Sequence, residues 1–262
     1  MAREYHNAAI LTIGDELLDG SVVESNSSEI SNELNNIGIK VVYSLSVPDD
    51  KESITAGLDF LSERADMIVI CGGLGPTRDD LTRETVAGYF GKEVKTNEKI
   101  LSDLKNKFRK LNIAFSKSNE KQALVLEDSL ILRNRMGTAP GFILPPRNDN
   151  QALIAAFPGV PVELRAMFPQ LLEYLAGLEQ SPRKIFGVTA RTVGIPESTL
   201  EDYLDDLKEQ TFAVGTICHP GAIDLRFELM AEDEREAKYK VKNILDQYPK
   251  IGRKVYSYSR DS

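Results

Sequence analysis

Met67-Ile68-Val69-Ile70-Cys71, followed at once by Gly72-Gly73-Leu74-Gly75-Pro76-Thr77-Arg78-Asp79-Asp80, is the stretch that decides the fold. An unbroken apolar run of this kind fits a central parallel strand covered on both faces. It ends abruptly in glycine, and a helix pattern begins near Leu81. In an open α/β sheet, ligands bind beyond the carboxyl ends of the strands, which is where this loop falls. Gly72, Gly73 and Gly75 let backbone amides approach a ligand with no side chain in the way, and Pro76 stiffens the turn. The helix that follows aims free N–H groups and its positive dipole end at the same spot, which suits phosphate. Asp79 and Asp80 sit oddly beside an anion unless a divalent cation lies between carboxylate and phosphate. The same residues also read as a tight strand-to-helix turn with Asp80 as helix cap.

The flanking sequence alternates strand and helix patterns. Ala8 to Ile13 reads as a buried strand, and Ile30, Leu34 and Ile37 fall at helical spacing. Val41, Tyr43, Leu45 and Val47 alternate as in a strand, and Ile54, Leu58 and Leu61 mark another helix face. Leu101, Leu104, Phe108 and Leu111 mark one more. Such alternation predicts an α/β fold, an open and mainly parallel sheet with helices on both faces. Past residue 128 short strands at Leu130 to Leu132, Phe142 to Leu144 and Leu153 to Phe157 predict an antiparallel edge, with a turn at Asn148-Asp149-Asn150. Pro169 predicts a break in the helix that follows.

The first strand ends in Gly14-Asp15-Glu16-Leu17-Leu18-Asp19-Gly20, which places further acids at a strand's carboxyl end. Asn26 opens the next helix, as a cap or as a ligand contact. Asp49 stands at capping-box spacing from Glu52, yet a capping aspartate there can also face a ligand. Ser118-Asn119-Glu120-Lys121-Gln122-Ala123 offers one cation and two amides, or a solvated helix start. Gly137-Thr138-Ala139-Pro140-Gly141 and Pro158-Gly159-Val160-Pro161 are turns that can also wall a ligand. Cys71 reads as inert packing and His219 as a turn neighbour. The best linker is Gly177 to Lys184, dividing a domain at 1–178 from a small α+β domain at 183–262. The second domain's order reads strand (185–193), helix (198–208), strand (212–219), strand (223–231), helix (233–247) and an edge strand (255–259).

With 42% hydrophobic and 27% charged residues among 262, and no apolar run long enough to cross a bilayer, the composition is that of a soluble protein without a membrane partner. No signal-peptide pattern precedes the first strand, so a cytoplasmic location is expected. A net charge of −8 opposes general polyanion binding, and no nucleic-acid partner is expected. Two cysteines and two histidines are too few for a disulfide framework or a zinc set, so any metal would be a hard cation on oxygen ligands. Neither histidine sits in the context of a Ser-His-Asp hydrolase.

Six segments, in this order, carry a resemblance: Gly14 to Gly20, Asn26, Gly72 to Thr82, Lys121 to Ala123, Gly137 to Gly141, and Pro158-Gly159-Val160-Pro161-Val162-Glu163. Together they resemble the amino-terminal domain of the CinA family, the competence- and damage-inducible proteins, within the molybdopterin-binding superfamily. Gly194-Ile195-Pro196-Glu197-Ser198 and Asp224-Leu225-Arg226 look like that family's small KH-like second domain. Leu74 departs from the threonine usual in molybdopterin adenylyltransferases and, with Pro76-Thr77, favours the CinA branch. The sequence stops at Ser262, so the deamidase activity of longer family members is not carried over.

The resemblance implies a metal-dependent pyrophosphatase splitting ADP-ribose into AMP and ribose 5-phosphate. It implies catalytic roles for Asp80, Asp49 and Lys121, and a divalent cation (magnesium, manganese or cobalt) on Asp80, Asp49 and Asp15. Ligand contacts would come from Gly14, Glu16, Asn26, Gly72, Gly73, Leu74, Gly75, Pro76, Thr77, Asp79, Thr82, Gln122, Gly137, Thr138, Ala139, Pro140, Gly141, Pro158 and Gly159. Molybdopterin binding or adenylylation is the alternative, and a non-catalytic nucleotide-binding regulator the third. A small-molecule nucleotide partner and a homodimer are expected. A KH-like module without a Gly-x-x-Gly loop, and with balanced charge, is not expected to bind RNA.

Overall fold

The structure, a computed structural model, describes residues 5–148, 150–178, 185–210, 213–231 and 233–260. The chain divides into two compact units, Met1–Leu34 with Ile39–Ser181, and Asn35–Gly38 with Pro182–Ser262. Among the described residues no helix is long and apolar enough to cross a membrane.

The first unit begins β1 (Asn7–Ile13), α1 (Asp15–Leu18), α2 (Asn26–Asn35), β2 (Lys40–Val47), α3 (Lys51–Ser62), β3 (Met67–Cys71) and α4 (Thr82–Tyr89). It continues through β4 (Val94–Thr96), α5 (Glu98–Lys110), a 3-10 helix (Lys117–Ala123), β5 (Leu124–Leu126), β6 (Leu130–Leu132), β7 (Gly141–Leu144), β8 (Leu153–Phe157) and α6 (Pro161–Ala176). The main sheet has the order β2-β1-β3-β8-β7-β6. Its first four strands are mutually parallel, while β7 and β6 form the antiparallel edge that the short strands predicted. A separate antiparallel pair joins β4 and β5.

All five residues of β3 are buried, because the strand lies between two parallel neighbours and both its faces are covered. Ile68 and Ile70 join Ala9, Leu11 and Ile13 against Ile54, Leu58 and Leu61 of α3 and Val86 of α4. Each such side chain fully withdrawn from water contributes about 1.5–3 kcal/mol. Buried Ile30 and Leu34 of α2, and Leu164, Met167, Phe168 and Leu171 of α6, belong to the other helix pair, which Arg165 joins to Glu29 at 2.8 Å. The expected break at Pro169 does not occur, and α6 runs unbroken from Pro161 to Ala176. Pro169 is exposed, so the Arg165 carbonyl it leaves without an amide faces the solvent side and can be hydrated. Ile37 lies beyond the end of α2, and Leu111 beyond α5 is exposed; Leu104 is the buried anchor of α5.

The second unit comprises β9 (Ile185–Val193), α7 (Glu197–Gln210), β10 (Ala213–His219), β11 (Ala222–Met230), α8 (Glu234–Asp246), α9 (Pro249–Gly252) and β12 (Val255–Arg260). Its sheet, in the order β10-β11-β9-β12, is antiparallel throughout. Val188, Ala190, Leu225 and Phe227 from the strands pack with Leu200, Leu207, Val241 and Leu245 from the helices. The short helix α9 has no counterpart in the sequence reading. The proposed linker falls largely on residues 179–184, and the start of the expected strand at 212 on residue 212, outside the described residues.

Candidate functional site

The carboxyl end of β3 leads into a loop that only glycine can follow. Gly72 and Gly73 have φ of 112° and 64°, and a Cβ on Gly72 would lie 2.1 Å from the Ile13 carbonyl oxygen. The Gly72 amide donates to the Phe157 carbonyl at 3.0 Å, and the Thr82 hydroxyl to the Gly72 carbonyl at 2.8 Å. The Asp80 carboxylate then turns back into the loop. It accepts from the amides of Gly75 and Thr77, both at 2.7 Å, and from the Thr77 hydroxyl at 2.6 Å. The cap position of α4 is Leu81, with no side-chain cap, so Asp80 staples the loop and does not cap the helix. With the loop held this way, the amides of Gly73 and Leu74 have no acceptor among the described residues, and both residues line a cleft.

Arg83, which the sequence reading passed over, is buried behind the loop. Its guanidinium donates to the carbonyls of Leu74 and Lys121, each at 3.4 Å, and of Pro140 at 3.5 Å. Burial pulls its pKa down, and Glu84 and Asp80 oppose that. The Lys121 ammonium donates to the Thr77 carbonyl at 3.3 Å and pairs with Glu84 at 3.3 Å. Lys121 therefore braces the loop from outside and does not line the cleft.

At the first strand's end the amide of Asp15 donates to the Asp49 carboxylate at 3.0 Å, and the amide of Asp49 to that of Asp15 at 3.2 Å. The cap of α3 is Asp50, whose carboxylate accepts from the Ser53 amide at 2.8 Å. Asp49 is thus free of the capping role that its spacing from Glu52 proposed, and it faces the cleft. Burial raises its pKa against the opposing hydrogen bond from Asp15, with Glu16, Asp15 and Asp80 adding to the rise. Among the described residues, no three His, Cys, Asp or Glu side chains are gathered as a cation site. Both Asp80 oxygens are committed to the loop, and Asp15 and Asp49 each commit one oxygen to the other's amide, so these three carboxylates do not fit a preformed metal centre.

Because ionised Asp49 is penalised in the folded state, that cost is absent below the unfolded carboxylate value near pH 4 and complete above the raised folded value. Asp49→Asn keeps an oxygen for the Asp15 amide, so its melting temperature should exceed that of the native chain at pH 7. The gap should close as the pH falls toward 4; thermal melts at the two values that show no such gap would refute the assignment.

Asn26 opens α2 and does not cap it. Its amide group donates to the Gly159 carbonyl at 2.8 Å and toward the Cys71 sulfur at 3.1 Å, fixing the β8 end against β3. Burial pushes the Cys71 thiol up to about 12, in keeping with inert packing. On the far wall Asn134 accepts from the amides of Met136 and Gly137 and donates to the Ala139 carbonyl and to Glu163. A Cβ on Gly137 would lie 2.0 Å from the Glu163 carboxylate. Thr138 is fixed by Gln122, which donates to its hydroxyl at 2.9 Å. Gly141 opens β7, where a Cβ would meet the Ala156 carbonyl at 2.3 Å.

The resulting cleft has a volume of about 600 Å³. Of the predicted site residues, Gly72 to Gly75, Thr77, Asp79 and Asp80 line it from the loop, Glu16 and Asp49 from below, and Thr138, Ala139, Pro158 and Gly159 from the opposite turns. Gly14, Asp15, Asn26, Pro76, Thr82, Lys121, Gln122, Gly137, Pro140 and Gly141 are not in its lining; most of them hold residues that are. The sequence reading omitted Glu163 from the site, and the structure places it in the lining with Ile13, Val160 and Pro161. Glu16, Asp49, Asp79, Asp80 and Glu163 face the cleft with no lysine or arginine in the lining.

Comparison with known proteins matches residues 9–177 to the family described as "Probable molybdopterin binding domain" and residues 189–256 to "Damage-inducible protein CinA KH domain". A relative from Bacillus pumilus named "Putative competence-damage inducible protein" is 36% identical over 262 residues, covering 97% of this chain and 62% of the relative. A CinA-like protein of Thermotoga maritima is 35% identical, covering 95% of this chain and 59% of its own length. The chain thus spans about three fifths of the length of these curated relatives. The solved structure of the protein CinA from Thermoplasma acidophilum, titled as of unknown function, aligns with a TM-score of 0.59 at 30% identity, over 65% of this chain and 98% of that one. A parallel-sheet unit of the molybdopterin-binding type followed by a CinA KH unit, with relatives of this identity, places the chain in the CinA family.

Proposed function

We propose that the cleft binds the pyrophosphate of a nucleotide and hydrolyses it, with ADP-ribose split into AMP and ribose 5-phosphate. The observation that carries this reading is the glycine turn after β3, where the half-buried Gly73 amide has no acceptor among the described residues and the Asp80 staple holds the loop at the end of a parallel strand. Neutral amide donors suit phosphate oxygens, and this site has no cationic side chain to do the same work. Asp49, whose pKa is raised, is the side chain suited to take a proton from the attacking water. Water oxygen bonds to one phosphorus, the bridging oxygen leaves on the other phosphate, and Asp49 receives the proton. Lys121 and Asp80 act through the loop as positioning residues.

Five carboxylates around a pyrophosphate call for a counter-charge, so dependence on magnesium, manganese or cobalt from solution is part of the proposal, although no step is routed through a cation. The test is incubation of the full chain with ADP-ribose, with each metal and with chelator, and chromatography of the products. Cation-dependent AMP release is expected; no AMP with any metal refutes the hydrolase. The family match over residues 9–177 favours molybdopterin binding as the second reading. A fluorescent pterin retained through purification, without AMP release, would support it, and neither result would leave a non-catalytic regulator.

A further inference from the structure

Next to the cleft, with Thr138 in the wall of both, the first unit carries a second cavity of about 620 Å³. Its sides are the first turns of α5 and the segment joining β6 to β7. The electrostatic contrast with the cleft is sharp. Lys99, Lys107, Arg133 and Arg135 line it against the single carboxylate of Asp103, in a chain whose net charge is −8. The side chains of Lys99, Arg133 and Arg135 have no partner among the described residues, so their charges are unspent. The Lys107 ammonium donates to the Arg135 carbonyl at 3.4 Å and to the Gly137 carbonyl, and Asn134 ties the same turn internally. The turn that carries the exposed arginines is therefore held in place by hydrogen bonds from Lys107 and Asn134.

We propose that this cavity is a subsite for a phosphate monoester, distinct from the pyrophosphate cradle of the cleft. A terminal phosphate exposes three oxygens and carries more charge than a diester, and guanidinium forks match it with paired, charge-assisted hydrogen bonds. The volume accommodates a small phosphorylated sugar. The proposal goes beyond the hydrolase reading and stands without it.

Calorimetric titration of the full chain with inorganic phosphate and with ribose 5-phosphate at low salt tests it. Both should bind, more weakly as salt rises, and Arg133→Gln with Arg135→Gln should weaken them by about tenfold or more. Lys99→Gln with Arg135→Gln provides a second variant should the first fail to fold. The surface control Lys95→Gln should bind as the native chain does. Unchanged affinity in both paired variants, or an equal loss in the control, overturns the subsite. With ADP-ribose present, unaffected monoester binding supports the separate subsite, whereas full competition places the bound phosphate in the cleft and overturns it. Absence of AMP release in the hydrolysis assay would bear on the cleft alone.

Discussion

Asp80→Ala is expected to lower turnover of ADP-ribose by about 100-fold or more, the scale on which removal of oriented donors from an anion site acts. The carboxylate makes three hydrogen bonds to Gly75 and Thr77, and these fix the loop that carries the Gly73 amide. Losing the charged acceptor of the part-buried Gly75 amide also costs about 1–3 kcal/mol of stability. Asp80→Asn should come close to alanine, because its NH2 group meets amide donors where a carboxylate oxygen had accepted. Calorimetric binding of ADP-ribose with and without divalent metal separates two roles for this residue. A loop staple loses affinity in both conditions, whereas a cation ligand loses it only when metal is present. Hydrogen exchange at Gly75 and Thr77 gives a readout independent of the ligand: it should speed up in both variants, and unchanged exchange would refute the staple.

The parallel sheet was legible because an unalternating run such as Met67 to Cys71 has one good physical explanation, burial on both faces. The glycine loop was legible too, since Gly72 and Gly73 hold backbone angles that other residues resist. What the sequence could not decide was the direction in which a polar side chain turns. Asp49 and Asp50 stand at equal spacing from Glu52 and Ser53, and the choice between them is made by the Asp15 amide, 34 residues earlier in the chain. Asp80 has a helix ahead and amides behind, and only the folded loop shows that it takes the amides. Pro169 misled because a rule about helix interiors treats every carbonyl as buried, and this one faces outward. Glu163 enters the sequence reading only as the end of the segment Pro158 to Glu163, and nothing there signals that the Gly137 turn closes against it.

Arg83 left a trace that could have been followed. A basic residue in the first turn of a helix opposes the dipole, and it needs a reason to be there. The reason is three carbonyls from three separate segments, Leu74, Lys121 and Pro140, all gathered on one guanidinium. Among the fully buried side chains of the described residues Arg83 is the largest by residue volume. Arg83→Ala therefore leaves a void as well as three carbonyls without their donor, and should destabilise the first unit by about 3–5 kcal/mol. Arg83→Met restores most of the volume with no donors, so the difference between the two variants measures packing and the residual loss in methionine measures the hydrogen bonds. The second unit has its own core, and its unfolding should not move. Urea unfolding followed by hydrogen exchange, which reports the units separately, would check this. Methionine matching the native stability would mean that the guanidinium serves only as filler; a loss confined to the first unit, greater in alanine than in methionine, would establish it as the cation that clamps the glycine loop to the walls of its cleft.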